Sequence, residues 1–264
     1  MRAVLLAVSL AALAQAQAPA ISEGGVVNSG NYTGEGVAPG SIASVFGTNL
    51  ASQTVAAAAI PLATTLGNVE SVTFAGVPAP LYFVSADQIN AQVPWNLGLG
   101  PVDVVVTTTA GASAAVSIQI VPAAPGIFAV SANGRGQAVA TDNSDGALAA
   151  PQASLANLPA HPIPIGGYLV VWCTGLGAVD APVANGADTG GRIVDTLLQP
   201  AVLIGGIPAT FVYSVLSPQF AGEYQVAVQV PPGAPSGDSV SLQIVINGIT
   251  TATSVTIAVA NPSD

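Results

Sequence analysis

Residues 72–94 read VTFAGVPAPLYFVSADQINAQVP, and residues 202–231 read VLIGGIPATFVYSVLSPQFAGEYQVAVQVP. Each stretch opens on a short apolar strand and a tight turn of small residues, Ala75-Gly76 in one and Gly205-Gly206 in the other. Each then passes through Pro-Ala into a Tyr-containing strand, crosses a polar loop and closes on Gln-Val-Pro. A pattern that returns over such a distance marks two copies of one folded unit.

The flanks repeat as well. Phe46-Gly47-Thr48-Asn49-Leu50 lies over Trp172-Cys173-Thr174-Gly175-Leu176, an aromatic at a strand end followed by a turn. Asn49 and Gly175 share a turn position because both residue types tolerate positive φ. At strand spacing Val102, Val104 and Val106 point one way, as do Val240, Leu242, Ile244 and Ile246, with Ser241 and Gln243 opposite. Turns follow at Ala110-Gly111 and Asn247-Gly248, the second a strong hairpin signal. Return strands carry Val116, Ile118, Ile120 and Val255, Ile257, Val259. The expectation is an all-β chain of two tandem immunoglobulin-like β-sandwiches, each of about seven short strands.

The first sandwich is placed at 38–122 and the second at 165–260. Residues 19–37 form a polar, Gly-rich lead-in with room for an edge strand. Residues 123–164 read as a linker with a small hairpin turning near Asp145-Gly146, ending in the Pro-rich stretch 159–164 as an extended spacer. Residues 261–264 are a tail. Residues 1–18 are a signal peptide: Arg2, an apolar run, then small-residue cleavage sites after Ala16 or Ala18. A secreted, extracellular, periplasmic or cell-surface destination follows.

Composition narrows the partners. Hydrophobic residues make up 51% of the 264 and charged residues 6%. Beyond the signal, however, no apolar run reaches the roughly 20 residues of a membrane-spanning helix. The mature chain is therefore not expected to insert. Lys+Arg total 3 against 13 Asp+Glu, a net charge of -10. A nucleic-acid backbone needs clustered cations, and there are none to offer. Cys173 is the single cysteine, so no internal disulfide forms; it sits in an apolar run and reads as a small buried hydrophobe.

Chemistry-bearing residues are sparse. His161 is the only histidine and lies among prolines, and no Gly-x-Ser-x-Gly elbow occurs, so no catalytic residue is assigned. Gly134 and Gly136 lack the third glycine of a dinucleotide site and read as a turn. Asp142 and Asp145 are weak candidates for calcium, but their loop lacks the spaced acids of a known calcium loop and reads as a solvated turn. No metal or cofactor is expected. Asn31-Tyr32-Thr33 matches a glycosylation pattern too short to carry weight. Tyr82, Trp172 and Tyr213 lie within strand patterns and are assigned to the core. Trp95 follows Pro94 in a loop where the second copy has Pro232. It is the candidate ligand contact; the competing reading packs it against the neighbouring unit.

The motifs Ala38-Pro-Gly-Ser-Ile42, Phe46-Gly-Thr-Asn-Leu50, Ala79-Pro-Leu-Tyr82, Gln88-Ile-Asn90, Gln92-Val-Pro94, Pro125-Gly-Ile-Phe128, Thr174-Gly-Leu-Gly177 and Tyr224-Gln225 occur in this order. In that order the chain resembles the Solibacter-type uncharacterised C-terminal domain family of secreted bacterial proteins. Its units also resemble IPT/TIG domains, which implies an immunoglobulin-like sandwich of surface or extracellular proteins. The resemblance implies no catalytic residues. The expected role is a secreted, non-catalytic module for binding, adhesion or spacing, with an extracellular protein or glycan as partner. The alternative is an extracellular carbohydrate-processing enzyme or carbohydrate-binding accessory with an acidic site, which would show acids converging in a cleft.

Overall fold

The computed structural model describes residues 17–252 and 254–260. All but two residues of the expected signal peptide, and the expected tail, lie outside the described residues. Every regular element described is a β-strand. The first unit contains β1 (Ala20–Asn28), β2 (Ile42–Thr48), β3 (Val55–Ala56), β4 (Val69–Phe74), β5 (Val77–Pro78), β6 (Leu81–Val84), β7 (Gln88–Gln92), β8 (Gly100–Thr108), β9 (Gly111–Ala112) and β10 (Val116–Ile120). The second contains β11 (Gly126–Ile127), β12 (Gly136–Gln137), β13 (Ala140–Asp142), β14 (Leu148–Ala149), β15 (Ala160–His161), β16 (Tyr168–Thr174), β17 (Ala201–Ile204), β18 (Ile207–Pro208), β19 (Thr210–Leu216), β20 (Tyr224–Gln229), β21 (Gly237–Ile246), β22 (Ile249–Thr250) and β23 (Val255–Val259).

Two sheets face each other in each unit. In the first their orders are β1-β2-β7-β6-β3 and β10-β8-β4-β5. In the second they are β15-β14-β13-β16-β20-β19 and β12-β23-β21-β17-β18. The two tandem sandwiches expected from the repeat are thus present. Strand alternation builds two separate cores. Val45, Phe74, Leu81, Ile89, Val104 and Val106 meet in the first; Leu169, Val171, Tyr224, Val226, Leu242 and Ile257 meet in the second. Burying one such side chain is worth about 1.5–3 kcal/mol, so each unit carries its own driving force.

The repeat extends to single hydrogen bonds. Gln92 Nε2 donates to Gly40 O and Gln229 Nε2 to Gly166 O, holding the turn before β2 and β16 respectively. The amides of Val106 and Ile244 donate to the hydroxyls of Ser113 and Thr251 after the β8 and β21 hairpins. These buried amides have no ladder partner at the hairpin end, and a hydroxyl at that position supplies one.

The units begin earlier than the sequence patterns suggest. The lead-in does add an edge strand: β1 pairs with β2. Its counterpart is β13, which pairs antiparallel with β16. Val37 bridges in parallel to Ile120, and Ile163 likewise to Val259. The segment 123–164 contains the expected hairpin, β13 to β14, turning through Asp145-Gly146. It is not a free linker, and its Pro-rich end is not a spacer between the sandwiches. β11 and β13 pair with β16, β15 extends that sheet through β14, and β12 pairs with β23 in the opposite sheet. Proline removes backbone donors, but Ile163 lies between two of them and still makes both bonds of a ladder, to Ala258 O and from Ala260 N–H. No helix among the described residues is long and apolar enough to cross a membrane, a statement that does not extend to strands.

Candidate functional site

The sandwiches meet along the outer face of the β2-β7-β6 sheet. Core-facing residues alternate there with Ile42, Asn90 and Tyr82, whose side chains point toward the second unit. The Ile42 amide donates to Thr174 Oγ1 (2.9 Å), and the Thr174 hydroxyl donates to Gly222 O (2.7 Å). The Gly186 amide donates to the buried Gln92 Oε1 (2.6 Å). Asn28 Nδ2 donates to Ala124 O (2.6 Å) and Asn31 Nδ2 to Pro125 O (3.0 Å). Gly222 packs so closely on Gly40 O that a side chain there would collide with it. Glycine at Gly222, with φ +75°, answers both the backbone angle and that approach.

Beside these contacts the units leave a cleft of about 300 Å³. Ser29, Tyr32, Ile42, Tyr82 and Asn90 line it from the first unit; Phe128, Ala129, Ala132, Phe220 and Glu223 line it from the second. Local structure aims each aromatic. Tyr32 stands at φ +57° and its ring lies against Phe46, centroids 6.1 Å apart. Tyr82 is the extra residue of a bulge between Leu81 and Phe83, which turns it out of the strand's alternation. Its hydroxyl donates to Ala221 O (2.7 Å), so it is fixed by the opposite unit. Phe128 follows β11. Phe220 sits at the tip of the β19–β20 loop and is 44% exposed, high for so apolar a side chain.

Two polar groups are arranged among the rings. Asn90 Oδ1 accepts from Ser44 Oγ (2.9 Å) and Gln88 Nε2 (2.8 Å), which orients its amide hydrogens away from both. Because the Ser44 hydrogen goes to Asn90, the Ser29–Ser44 bond of 2.8 Å has Ser29 as donor. Glu223 Oε1 is buried and has no hydrogen-bond partner among the described residues. Desolvation raises its carboxyl to about 7. The neighbouring Ser217 hydroxyl, turned toward the carboxylate as a donor at longer range, offsets part of that rise. Burial, and next the Glu223 charge, push the Tyr82 phenol well above its ordinary value.

The residues singled out in the sequence fall elsewhere. Trp95 does not line the cleft. Its ring packs against the second unit's core and covers Gly40, where a side chain would collide with it. Its amide donates to Asn185 Oδ1 (2.8 Å). Packing between units, the competing reading, is what this contact shows, while the half-buried ring also lines a separate open pocket beside Asn96 and Ala178; the Trp95 indole nitrogen is buried with no partner among the described residues. Cys173 and Tyr224 are fully buried, with the Tyr224 hydroxyl donating to Gly177 O (2.6 Å). Tyr82, assigned to the core, is instead half-buried in the cleft.

Asp142, Asp145 and His161 come together at the β13–β14 hairpin, although the sequence placed His161 in a separate spacer. His161 Nε2 lies 3.0 Å from Asp145 Oδ2, and its Nδ1 lies 3.0 Å from Pro162 O. The Pro162 carbonyl first, then Asp145, raise the imidazole above its usual range; the Ala147 amide first, then His161, lower Asp145. One atom from each residue lies within 4.8 Å of the others. Three donors, one of them nitrogen, fall short of the six or more oxygens that calcium prefers. Asp142 Oδ1 is also engaged by the Ser144 amide (2.8 Å).

The cleft residues were legible only in part. Tyr32 stood inside a dismissed glycosylation pattern, and Asn31 beside it is tied to Pro125. Glu223 was one of thirteen acids. Phe220 carried the one available signal: a large aromatic in a Pro-Gln-Phe loop of one copy where the other has Ala-Asp-Gln.

No protein-family model matches this chain, and no curated protein matches it. Among solved structures it is similar to the surface glycan-binding protein PbSGBP-B from Prevotella bryantii, at 9% identity over 88% of this chain and 40% of that one, with a TM-score of 0.28. It is also similar to the SGBP-B of a Bacteroides ovatus mixed-linkage glucan utilization locus, in complex with a mixed-linkage heptasaccharide. That match has 14% identity, 86% and 44% coverage, and a TM-score of 0.32. A third is the Gamma-CGTase of alkalophilic Bacillus clarkii, at 14% identity, 90% and 25% coverage, and a TM-score of 0.30. The chain spans less than half the length of each.

Proposed function

We propose that this is a secreted, non-catalytic module that binds a glycan in the cleft between its two sandwiches. One observation carries the reading. Four aromatic side chains from both units converge on a concave site that Asn90 and Glu223 also line, and among the described residues the Asn90 amide hydrogens go to no protein group. A sugar ring has apolar C–H faces for aromatic rings and hydroxyls for such atoms. The competing enzymatic reading wants acids converging in a cleft. Glycoside hydrolysis commonly takes two carboxylates flanking the bond, and among the described residues Glu223 is the single acid that lines this one. The lone histidine lies at a different place, against Asp145. Kinship with the Solibacter-type family is proposed on the order of its motifs alone.

The test is titration calorimetry of the whole chain against neutral, acidic and amino-bearing oligosaccharides. At least one class should bind, and Phe220→Ala should weaken it roughly tenfold, the equivalent of about 1.4 kcal/mol. Phe220 is half-exposed, so the variant should stay folded. Failure to bind any glycan, or binding indifferent to both Phe220→Ala and Tyr32→Ala, would sink the proposal.

A further inference from the structure

The charge around the cleft is one-sided. The chain contains no lysine, and its arginines at 135 and 192 are not among the residues that line the cleft. Glu223 enters from the end of the β19–β20 loop; its half-buried side chain lines the cleft, and its inner oxygen, Oε1, has no hydrogen-bond partner among the described residues. Among the described residues the groups that face it bring no positive charge: the Tyr82 phenol from β6, the Cys173 thiol from β16 and the Ser217 hydroxyl from its own loop. Burial keeps the phenol and the thiol protonated well beyond neutral pH. Asp188 adds further negative charge near Tyr82. A buried carboxylate without a counter-charge is destabilising. Neutral sugar hydroxyls do not require one, because Asn90 and Ser29 already offer neutral polar groups on the same cleft.

A cation would use this arrangement fully. An ammonium is attracted to the face of an aromatic ring within about 6 Å, and more strongly where water is excluded. A carboxylate among several rings is the complement of a positively charged, partly apolar group, and the protein's net charge of -10 draws such a group in. We infer that the glycan bound here is an amino sugar, whose free, unacetylated amine sits as an ammonium against Glu223 among Tyr32, Tyr82, Phe128 and Phe220. The inference rests on the glycan-binding reading and adds the chemical class of the sugar. It also fixes the proton balance. Burial raises the Glu223 carboxyl to about 7, which favours its protonated form in the free protein at pH 6; when the ammonium arrives the carboxyl ionises, and the proton it held passes to the buffer.

The probes are a β-1,4-linked glucosamine tetramer, its fully N-acetylated counterpart and a β-1,4-glucose tetramer. Calorimetry uses the whole chain at pH 6, in two buffers of different ionisation enthalpy. Added salt of about 0.3 M shortens the screening length below 10 Å and suppresses diffuse attraction of an oligocation. The glucosamine tetramer should bind at least tenfold tighter than the other two, with net proton release. Glu223→Gln should remove that preference and the proton release, and Phe220→Ala should weaken binding with proton release retained. Equal affinity for the three probes, or a glucosamine preference that survives Glu223→Gln, overturns the amine. Neutral or acetylated probes that bind and depend on Phe220 but not on Glu223 overturn the amine and leave the glycan-binding reading standing. If no glycan of any class binds, both fall together. Cooperative thermal unfolding of each variant separates a lost contact from a lost fold.

Discussion

In the first sandwich the bulge between Leu81 and Phe83 presents Tyr82, whose hydroxyl crosses the junction to Ala221 O. In the second, the same bulge between Phe211 and Tyr213 presents Val212, which is 45% exposed. Thr48 ends β2 in solvent; Thr174, its counterpart at the end of β16, is fully buried and holds both Ile42 and Gly222. Trp95 spans the junction where the second copy has Pro232. Meanwhile Gln92 and Gln229, or Ser113 and Thr251, do the same work in both copies. Positions that satisfy the fold's own backbone keep their chemistry between copies. Positions on the face where the units meet diverge, because only one copy has its partner there.

The largest effects should come from breaking what the copies share. Val228 is buried in the second core and Ala91 in the first, so Val228→Asp or Ala91→Asp should abolish cooperative unfolding of the unit concerned, a loss above about 4 kcal/mol. Gln229→Asp, half-buried beside Val228, should be milder. The same measurement checks the corrected boundaries. Residues 20–121 and 126–260, expressed separately, should each unfold cooperatively. A fragment starting at 165 lacks β13 and the Ile163 bridge and should not. Equal behaviour of the 126 and 165 fragments would restore the segment to a linker.

Glu223 has no counterpart in the first core, and pH should expose that difference. Its carboxyl is raised from 4.5 to about 7, so the native state holds a proton that the unfolded chain releases. That contribution is fully present below pH 4.5 and is lost as pH rises through about 7. Glu223→Gln should therefore gain stability over the parent at pH 8, on the order of 3 kcal/mol, and little at pH 4. Denaturant unfolding at the two pH values reads this, and an equal effect at both would contradict it.

The Thr174 and Thr48 pair sharpens the contrast between junction and solvent. Thr174→Val leaves the Ile42 amide without its acceptor and should cost about 1–3 kcal/mol, whereas Thr48→Val should stay within about 0.5 kcal/mol. Similar values for both would mean that the junction bond is replaced by water. The smallest effect belongs to the hairpin. His161 is raised, so its contribution is present below the ordinary histidine range and lost as pH rises through its folded value. Asp145 is lowered, so its share is lost as pH falls through its folded value. His161→Gln should slightly flatten stability against pH near neutrality, as read by thermal melts from pH 5 to 8, with no change in the cooperativity of unfolding.

The sequence was most legible where the physics is local. Alternation in 102–106 and 240–246 gave strands that bury Val104, Val106, Leu242 and Ile244 as expected. The turns at Ala75-Gly76 and Asn247-Gly248 sit at positive φ. Legibility failed at 123–164. Short strands such as Ala160–His161 and Gly136–Gln137 lack a period of their own, and their pairing comes from elsewhere in the chain: from Leu148–Ala149 for the first and from Val255–Thr256 for the second. Trp95 was visible as an asymmetry between copies, but its direction was not: a loop aromatic seeks apolar surface, and the nearest was the other sandwich.

The sequence alone determined the repeat, the all-β class, the two cores and the absence of cations to meet a nucleic acid. Each of these follows from residue type and short-range spacing, which govern backbone angles, alternation and net charge. Only the tertiary structure decided the cleft. Tyr32, Tyr82, Phe128, Phe220 and Glu223 are scattered across almost two hundred residues, and none is marked by its neighbours. Their meeting depends on the angle at which one sandwich closes on the other. That angle is set by Thr174, Gln92, Gly222 and Trp95, contacts whose partners lie too far along the chain for any local pattern to encode.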